Sequence, residues 1–269
     1  MEKVKSNRDI DKALDELMRS ELGPHSCQLL ENNNGMKPYA SGVLSKLGDK
    51  HYILTASHVV SDWSDQHPLF IRTHSGYVSI VGDKLETEID KSNGIDLAYI
   101  LLDERVVPSI KAGHKFLPLS KFRGRTKLLN AVQYCVIGFP EINQKIEDGN
   151  LKTGASGYFL QPCQPRVYDY YKLNPSTHFA LEMKGKGIDI KTGETVKFKT
   201  DLHGLSGCGL WLVIVNNNDG VYSTDFRLVG IMTEFRKGRH HCSIGNRVDI
   251  LLDALKTYEN LNYSEKFSL

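Results

Sequence analysis

Three segments carry side chains whose types could do chemistry together. In Tyr52–Val60 an apolar run ends in small residues and delivers His58. Histidine is the natural general base near neutral pH, although a histidine at a strand end can equally be structural. In Gly94–Leu102 an acid, Asp96, stands at the mouth of a strongly apolar run. A carboxylate there is costly unless something pairs with it, and a histidine N–H is one such partner. In Asp201–Trp211, glycines flank Ser206 on both sides. Such a turn can adopt positive φ and aim the N–H groups of Gly204 and Ser206 at one point, where a developing oxyanion would be held. The order along the chain is His, Asp, Ser.

Other residues offer rival chemistry. Ser156, in Gly154-Ala155-Ser156-Gly157, is a second serine between glycines, but no buried strand follows it as one follows Ser206. Cys208 is a second nucleophile type within the same turn. His240-His241-Cys242 has no second ligand pair at zinc spacing, so no metal is expected. Arg236-Lys237-Gly238-Arg239 reads as a short solvated basic turn, and Trp63 and Trp211 read as packing residues.

These residues need elements to position them. Ile10, Leu14, Leu17 and Met18 share one face of a helix expected over 8–22, stopped by Gly23-Pro24. Short β-like runs then alternate with Gly, Asn, Asp and Pro clusters. They are 26–30, 40–47, 51–55, 77–81, 97–102, 132–137, 158–161, 179–183, 210–215 and 228–233. Strands at this spacing, with few helices between them, indicate antiparallel barrels or a sandwich rather than βαβ units. The Asn-rich segments 32–35 and 216–220 read as hairpin loops. Residues 246–260 return to helical period, with Val248, Leu251, Leu252 and Leu255 on one face.

Composition narrows the class. The 269 residues are 40% hydrophobic and 25% charged, which is ordinary for a globular chain. Lys+Arg at 34 against Asp+Glu at 32 gives +2, which argues against a nucleic-acid or polybasic membrane surface. No window approaches 18 apolar residues, so no membrane span is expected. Five cysteines, an odd count, argue against a disulfide scaffold, and the N-terminus lacks the apolar core of a signal peptide. Together these favour a reducing cytoplasm.

With the three segments in that order, the chain resembles the trypsin-like (chymotrypsin-fold) serine peptidases of the intracellular bacterial type. Leu54-Thr55-Ala56-Ser57-His58 resembles that family's Leu-Thr-Ala-Ala-His, Asp96-Leu97-Ala98 its Asp-Ile-Ala, and Gly204-Leu205-Ser206-Gly207 its Gly-Asp-Ser-Gly. Ala40-Ser41-Gly42-Val43, Val136-Ile137-Gly138-Phe139-Pro140 and Leu228-Val229-Gly230-Ile231 resemble the family's other strand motifs. The resemblance spans roughly residues 26–260. It implies an all-β fold of two six-stranded antiparallel barrels with an N-terminal and a C-terminal helix. The expected division is a helical extension over 1–25, a peptidase domain over 26–260 that includes the helix 246–260, and a tail over 261–269.

The resemblance also implies roles. His58 would be the base, Asp96 its orienting partner and Ser206 the nucleophile, with Gly204 and Ser206 as the oxyanion hole. No cofactor is implied. The substrate would be a protein or peptide, and control by a regulatory protein partner is expected; bacterial relatives of this style suggest antiviral defense. Thr200, Thr233 and Phe235 align with the substrate pocket, where Phe235 narrows it and Thr200 offers only a hydroxyl. Small or medium uncharged side chains are therefore expected there, unless Asp201 or Glu234 enters. Leu205 stands where secreted members carry an Asp that pairs with a newly cut N-terminus, so the helix over 8–22 is expected to be an appendage. Cys208 replaces a glycine; the viral cysteine relatives of this fold make it a rival nucleophile, but the Gly-x-nucleophile-Gly frame fits Ser206. The alternative function is an inactive homologue that acts as a protein-binding module.

Overall fold

The computed structural model describes residues 7–33, 35–73, 76–87, 94–124, 133–141, 144–147, 150–152, 154–197, 203–218 and 221–259. Helix α1 (Asn7–Leu17) runs into a π-helical turn, Met18–Leu22, and a 3-10 turn, Gly23–His25. The first barrel follows. Its strands are β1 (Ser26–Asn32), β2 (Met36–Leu47), β3 (Lys50–Thr55), β4 (Leu69–Thr73), β5 (Gly76–Ser79), β6 (Gly82–Glu86), β7 (Ala98–Leu102) and the short β8 (Leu117–Pro118). Helices α2 (Ser57–Val60) and α3 (Val107–Lys111) lie between strands. The order is β5-β4-β1-β2-β3-β7-β6, with β8 parallel to β2. No strand pairing joins β5 to β6 among the described residues, so this sheet curls as a half-barrel.

The second half contains β9 (Gln133–Gly138), the small hairpin β10 (Lys145–Glu147) and β11 (Asn150–Lys152), β12 (Ser156–Pro162), α4 (Pro165–Tyr171), β13 (His178–Asp189), β14 (Thr195–Lys197), β15 (Gly209–Asn218), β16 (Val221–Arg236), β17 (Cys242–Arg247) and α5 (Val248–Tyr258). Strands β12-β9-β15-β16-β17-β13 close on themselves through β12–β13, a six-stranded barrel. The expected all-β architecture of two barrel-like sheets with terminal helices is therefore present, the second a closed six-stranded barrel and the first a half-barrel of eight strands rather than six.

The strands read as near-continuous apolar runs because both of their faces are buried. On β15, Leu210 and Leu212 fill the second barrel, while Trp211 and Val213 face the cluster shared between the barrels. On β9, Tyr134 and Val136 point inward and Cys135 and Ile137 outward to that same cluster. On β3, Ile53 fills the first barrel, and Tyr52 and Leu54 join the shared cluster. Val248, Leu251, Leu252 and Leu255 of α5 seal it. Tyr99 Oη donates to Glu259 at 3.1 Å and Lys50 pairs with Glu259 at 2.7 Å, tying the end of α5 to the first barrel.

The N-terminal segment corrects one expectation. It is not an appendage: Leu17, Met18 and Leu22 lie in the same buried cluster as Trp211 and Leu228. Met18 covers Gly157, and Arg19 donates to the carbonyl of Ile190 at 3.2 Å. The amphipathic face visible in the sequence is the face that docks. The expected tail over 261–269, with residue 260, lies outside the described residues. No helix among them is long and apolar enough to cross a membrane.

Candidate active site

Strand β3 ends at Thr55, and the chain turns at Ala56 into the single turn α2, which presents His58. Its imidazole is partly exposed while the Asp96 carboxylate is mostly covered. His58 Nδ1–H donates to Asp96 Oδ2 at 2.6 Å, and the His58 backbone N–H donates to Asp96 Oδ1 at 2.9 Å. Both carboxylate oxygens are engaged, which fixes the ring and leaves Nε2 as the nitrogen able to accept a proton. Asp96 is held from the other barrel: its N–H donates to Asn246 Oδ1 at 2.9 Å, and Asn246 Nδ2 donates to Gly94 O at 3.4 Å. His178 Nε2–H donates to Gly94 O at 3.0 Å while its Nδ1 accepts from Thr177 Oγ1 at 2.8 Å. Asn246 and His178 are buried positioning residues that no motif signalled. Only folding brings β13 and β17 against the segment before β7.

The Ser206 side is built from backbone. Gly204 has φ +91 and Gly207 φ +84, conformations that side-chain-bearing residues rarely adopt. A Cβ at Gly204 would overlap the Phe139 carbonyl; one at Gly207 would overlap Thr55 Oγ1 and the Ser41 carbonyl. Thr55 lies three residues before His58 and Gly207 follows Ser206, so this contact brings the two chemical segments into one cleft. The turn closes through Cys208 N–H to Leu205 O at 3.0 Å and Gly207 N–H to Met232 O at 2.7 Å. The His203 carbonyl accepts from Glu141 N–H at 2.8 Å. Among the described residues, no protein acceptor takes the N–H of Gly204 or of Ser206. Ser206 Oγ donates to Thr233 O at 3.4 Å, and no hydrogen bond joins it to His58 Nε2. Nucleophile–base pairs are often looser than 3.2 Å in free enzymes.

Leu205 is buried against Gly138, so apolar packing holds the turn where an ion pair is impossible. Cys208 is fully buried among Tyr134, Val136 and Leu210, and burial pushes its thiol well above the ordinary range. A thiol held protonated in a core is a poor nucleophile. Against the expectation that no buried strand follows it, Ser156 opens the largely buried β12; it is itself buried, paired with Gly138 and Asp189, rather than on an exposed turn. Trp211 is fully buried and Trp63 packs against the first-barrel core. None of the five cysteines is in a disulfide.

Beside Ser206 lies a cavity of about 40 Å³. Thr233 and Phe235 line it together with Val136, Leu205, Cys208, Met232, Glu234 and Ser243. Met232 and Glu234 share β16 with Thr233 and Phe235; Val136, Leu205, Cys208 and Ser243 were not anticipated as lining, because they come from β9, the turn and β17. Thr200 and Asp201 lie outside the described residues.

The site geometry can be set beside known proteins. No family model matches this chain, and no curated protein matches it. Among solved structures, the chain is similar to an inactivated protease paralogue of the scabies mite, S-D1, with a TM-score of 0.54 and 11% identity over 90% of this chain and 95% of that one. At that identity the likeness shows the fold alone: the chain has the chymotrypsin-like, trypsin-type fold.

Proposed function

We propose that the protein is a serine endopeptidase. His58 Nε2 takes the proton from Ser206 Oγ as the oxygen attacks a peptide carbonyl. Asp96 keeps the Nδ1–H tautomer and stabilises the imidazolium. The oxyanion that forms is met by the N–H groups of Gly204 and Ser206. Collapse gives an acyl-enzyme, with the proton passed from His58 to the leaving amine, and water repeats the cycle in reverse order. The observation that carries this reading is the doubly hydrogen-bonded His58–Asp96 pair, held in the cleft that also contains a glycine-bracketed serine with unengaged N–H neighbours. The cavity of about 40 Å³, with Phe235 and Ser243 in its walls, supports small or medium residues on the acyl side of the cut bond; Glu234 also lines it, and its pairing with Arg236 at 2.8 Å supports an uncharged preference. Five cysteines outside any disulfide support a reducing compartment.

A second reading is an inactive homologue that binds protein partners. The similar mite structure is an inactivated paralogue, and Ser206 Oγ faces Thr233 O rather than His58. Hydrolysis of a denatured-protein substrate separates the two. The peptidase reading expects turnover that falls on the order of 10⁴- to 10⁶-fold in Ser206→Ala. No turnover by the unaltered chain against any of a panel of peptides with small residues before the cut would favour the binding module.

A further inference from the structure

We propose that Ser41, in the first barrel, is a positioning residue for the oxyanion pocket of the second; this rests on the peptidase reading above. A trans peptide is planar, with its N–H pointing opposite to its C=O, so fixing a carbonyl aims the next residue's N–H. The turn has four successive carbonyls, those of His203, Gly204, Leu205 and Ser206, and each has a donor among the described residues. His203 O is held by Glu141 N–H at 2.8 Å and Leu205 O by Cys208 N–H at 3.0 Å. The other two are held by one residue. Ser41 Oγ donates to Gly204 O at 2.6 Å, and Ser41 N–H donates to Ser206 O at 2.9 Å.

Gly204 makes this grip necessary. At φ +91, with no Cβ, the Gly204–Leu205 peptide can rotate with little steric resistance. That peptide lies between the two planes whose N–H groups form the pocket. Its rotation would turn one donor relative to the other. The Ser41 hydroxyl is the side chain that stops it, and it is itself held. It accepts from Phe139 N–H at 3.0 Å, the Ser41 carbonyl accepts from Thr55 Oγ1 at 2.9 Å, and the side chain is fully buried. The same strand segment therefore links the base side, through Thr55, to the pocket.

The test uses an alkyl fluorophosphonate, whose adduct places an oxygen in that pocket, with labelling separated into KI and kinact for the full chain. Ser41→Ala is expected to lower kinact about 10- to 100-fold, below the full loss of a donor, with KI within about twofold. A purely structural role would lower the melting temperature but leave kinact of the folded protein unchanged, and that result would overturn the proposal. If Ser41→Ala does not fold, Ser41→Cys keeps the shape with a weaker donor and is expected to show a smaller drop in kinact; an unchanged kinact in folded Ser41→Cys would equally overturn it. Absence of labelling in the unaltered chain would overturn both this proposal and the peptidase reading, whereas unchanged kinact in the variants overturns this proposal alone.

Discussion

In the proposed site, the base side (His58 and Asp96) and the nucleophile side (Ser206) of the cleft are held by different means. On the base side, charged and polar side chains do the holding: Asp96 grips His58 twice, and Asn246 reaches across from the second barrel to grip Asp96. On the nucleophile side the holding is done by backbone hydrogen bonds, two positive-φ glycines, apolar packing of Leu205 and one hydroxyl, that of Ser41. A side-chain clamp tolerates backbone change but not loss of a functional group. A turn held mainly through its backbone is most sensitive to a methyl added at its positive-φ glycines. The contrast predicts opposite sensitivities in the two regions.

The largest effect is expected where the side-chain clamp is cut. Asp96→Asn retains shape but puts the wrong tautomer on His58, and the hydrolysis rate near neutral pH should fall about 10⁴-fold, roughly 5.5 kcal/mol. A loss under tenfold would mean that the base side does not depend on its carboxylate. On the other side, Gly207→Ala should cost about 4 kcal/mol of stability, because the methyl meets Thr55 Oγ1 and the Ser41 carbonyl at φ +84. Urea unfolding reads this directly. A shift under 1 kcal/mol would show that the turn is not locked against the first barrel.

What the sequence made legible follows the same division. The motifs around His58, Asp96 and Ser206 are contiguous, so each can be read locally. Core strands were also legible: the expected runs 51–55 and 210–215 fall within β3 and β15, since buried strands are apolar along their length. Edge strands such as β6 (GDKLE) and β14 (TVK) were missed because neither carries a buried apolar run. Asn246, His178 and Ser41 were illegible as site residues because they act across the barrel interface. The N-terminal helix was seen but placed wrongly: its apolar stripe was plain, while the surface it covers, around Gly157, is defined only by the fold.

That docking gives a third, smaller prediction. Leu22→Ala should destabilise the chain by about 3 kcal/mol, as truncation of a fully buried leucine does, while the folded fraction keeps its chemistry. Denaturant midpoints and labelling of the folded fraction measure the two parts. An unchanged midpoint would restore the appendage view.

The smallest effect is expected at acid pH, far from the cleft. Burial raises the Asp225 carboxyl, but hydrogen bonds from Arg227, Lys121 and the Phe226 N–H outweigh it and hold it at about 2, below its ordinary 3.8. A depressed folded value means that the stabilisation is complete above 3.8 and is lost as pH falls towards 2. Asp225→Asn should therefore flatten the decline in melting temperature between about pH 4 and 2. An identical slope in the variant would show that this network contributes nothing there.

The central claim is that Ser206 is the nucleophile of a working site. The most direct measurement is peptide mapping after fluorophosphonate labelling of the full-length chain. The account predicts one adduct, on Ser206, absent in Ser206→Ala and strongly reduced in Asp96→Asn. An adduct on Ser156 or Cys208, or an intact chain that takes no label, would contradict it.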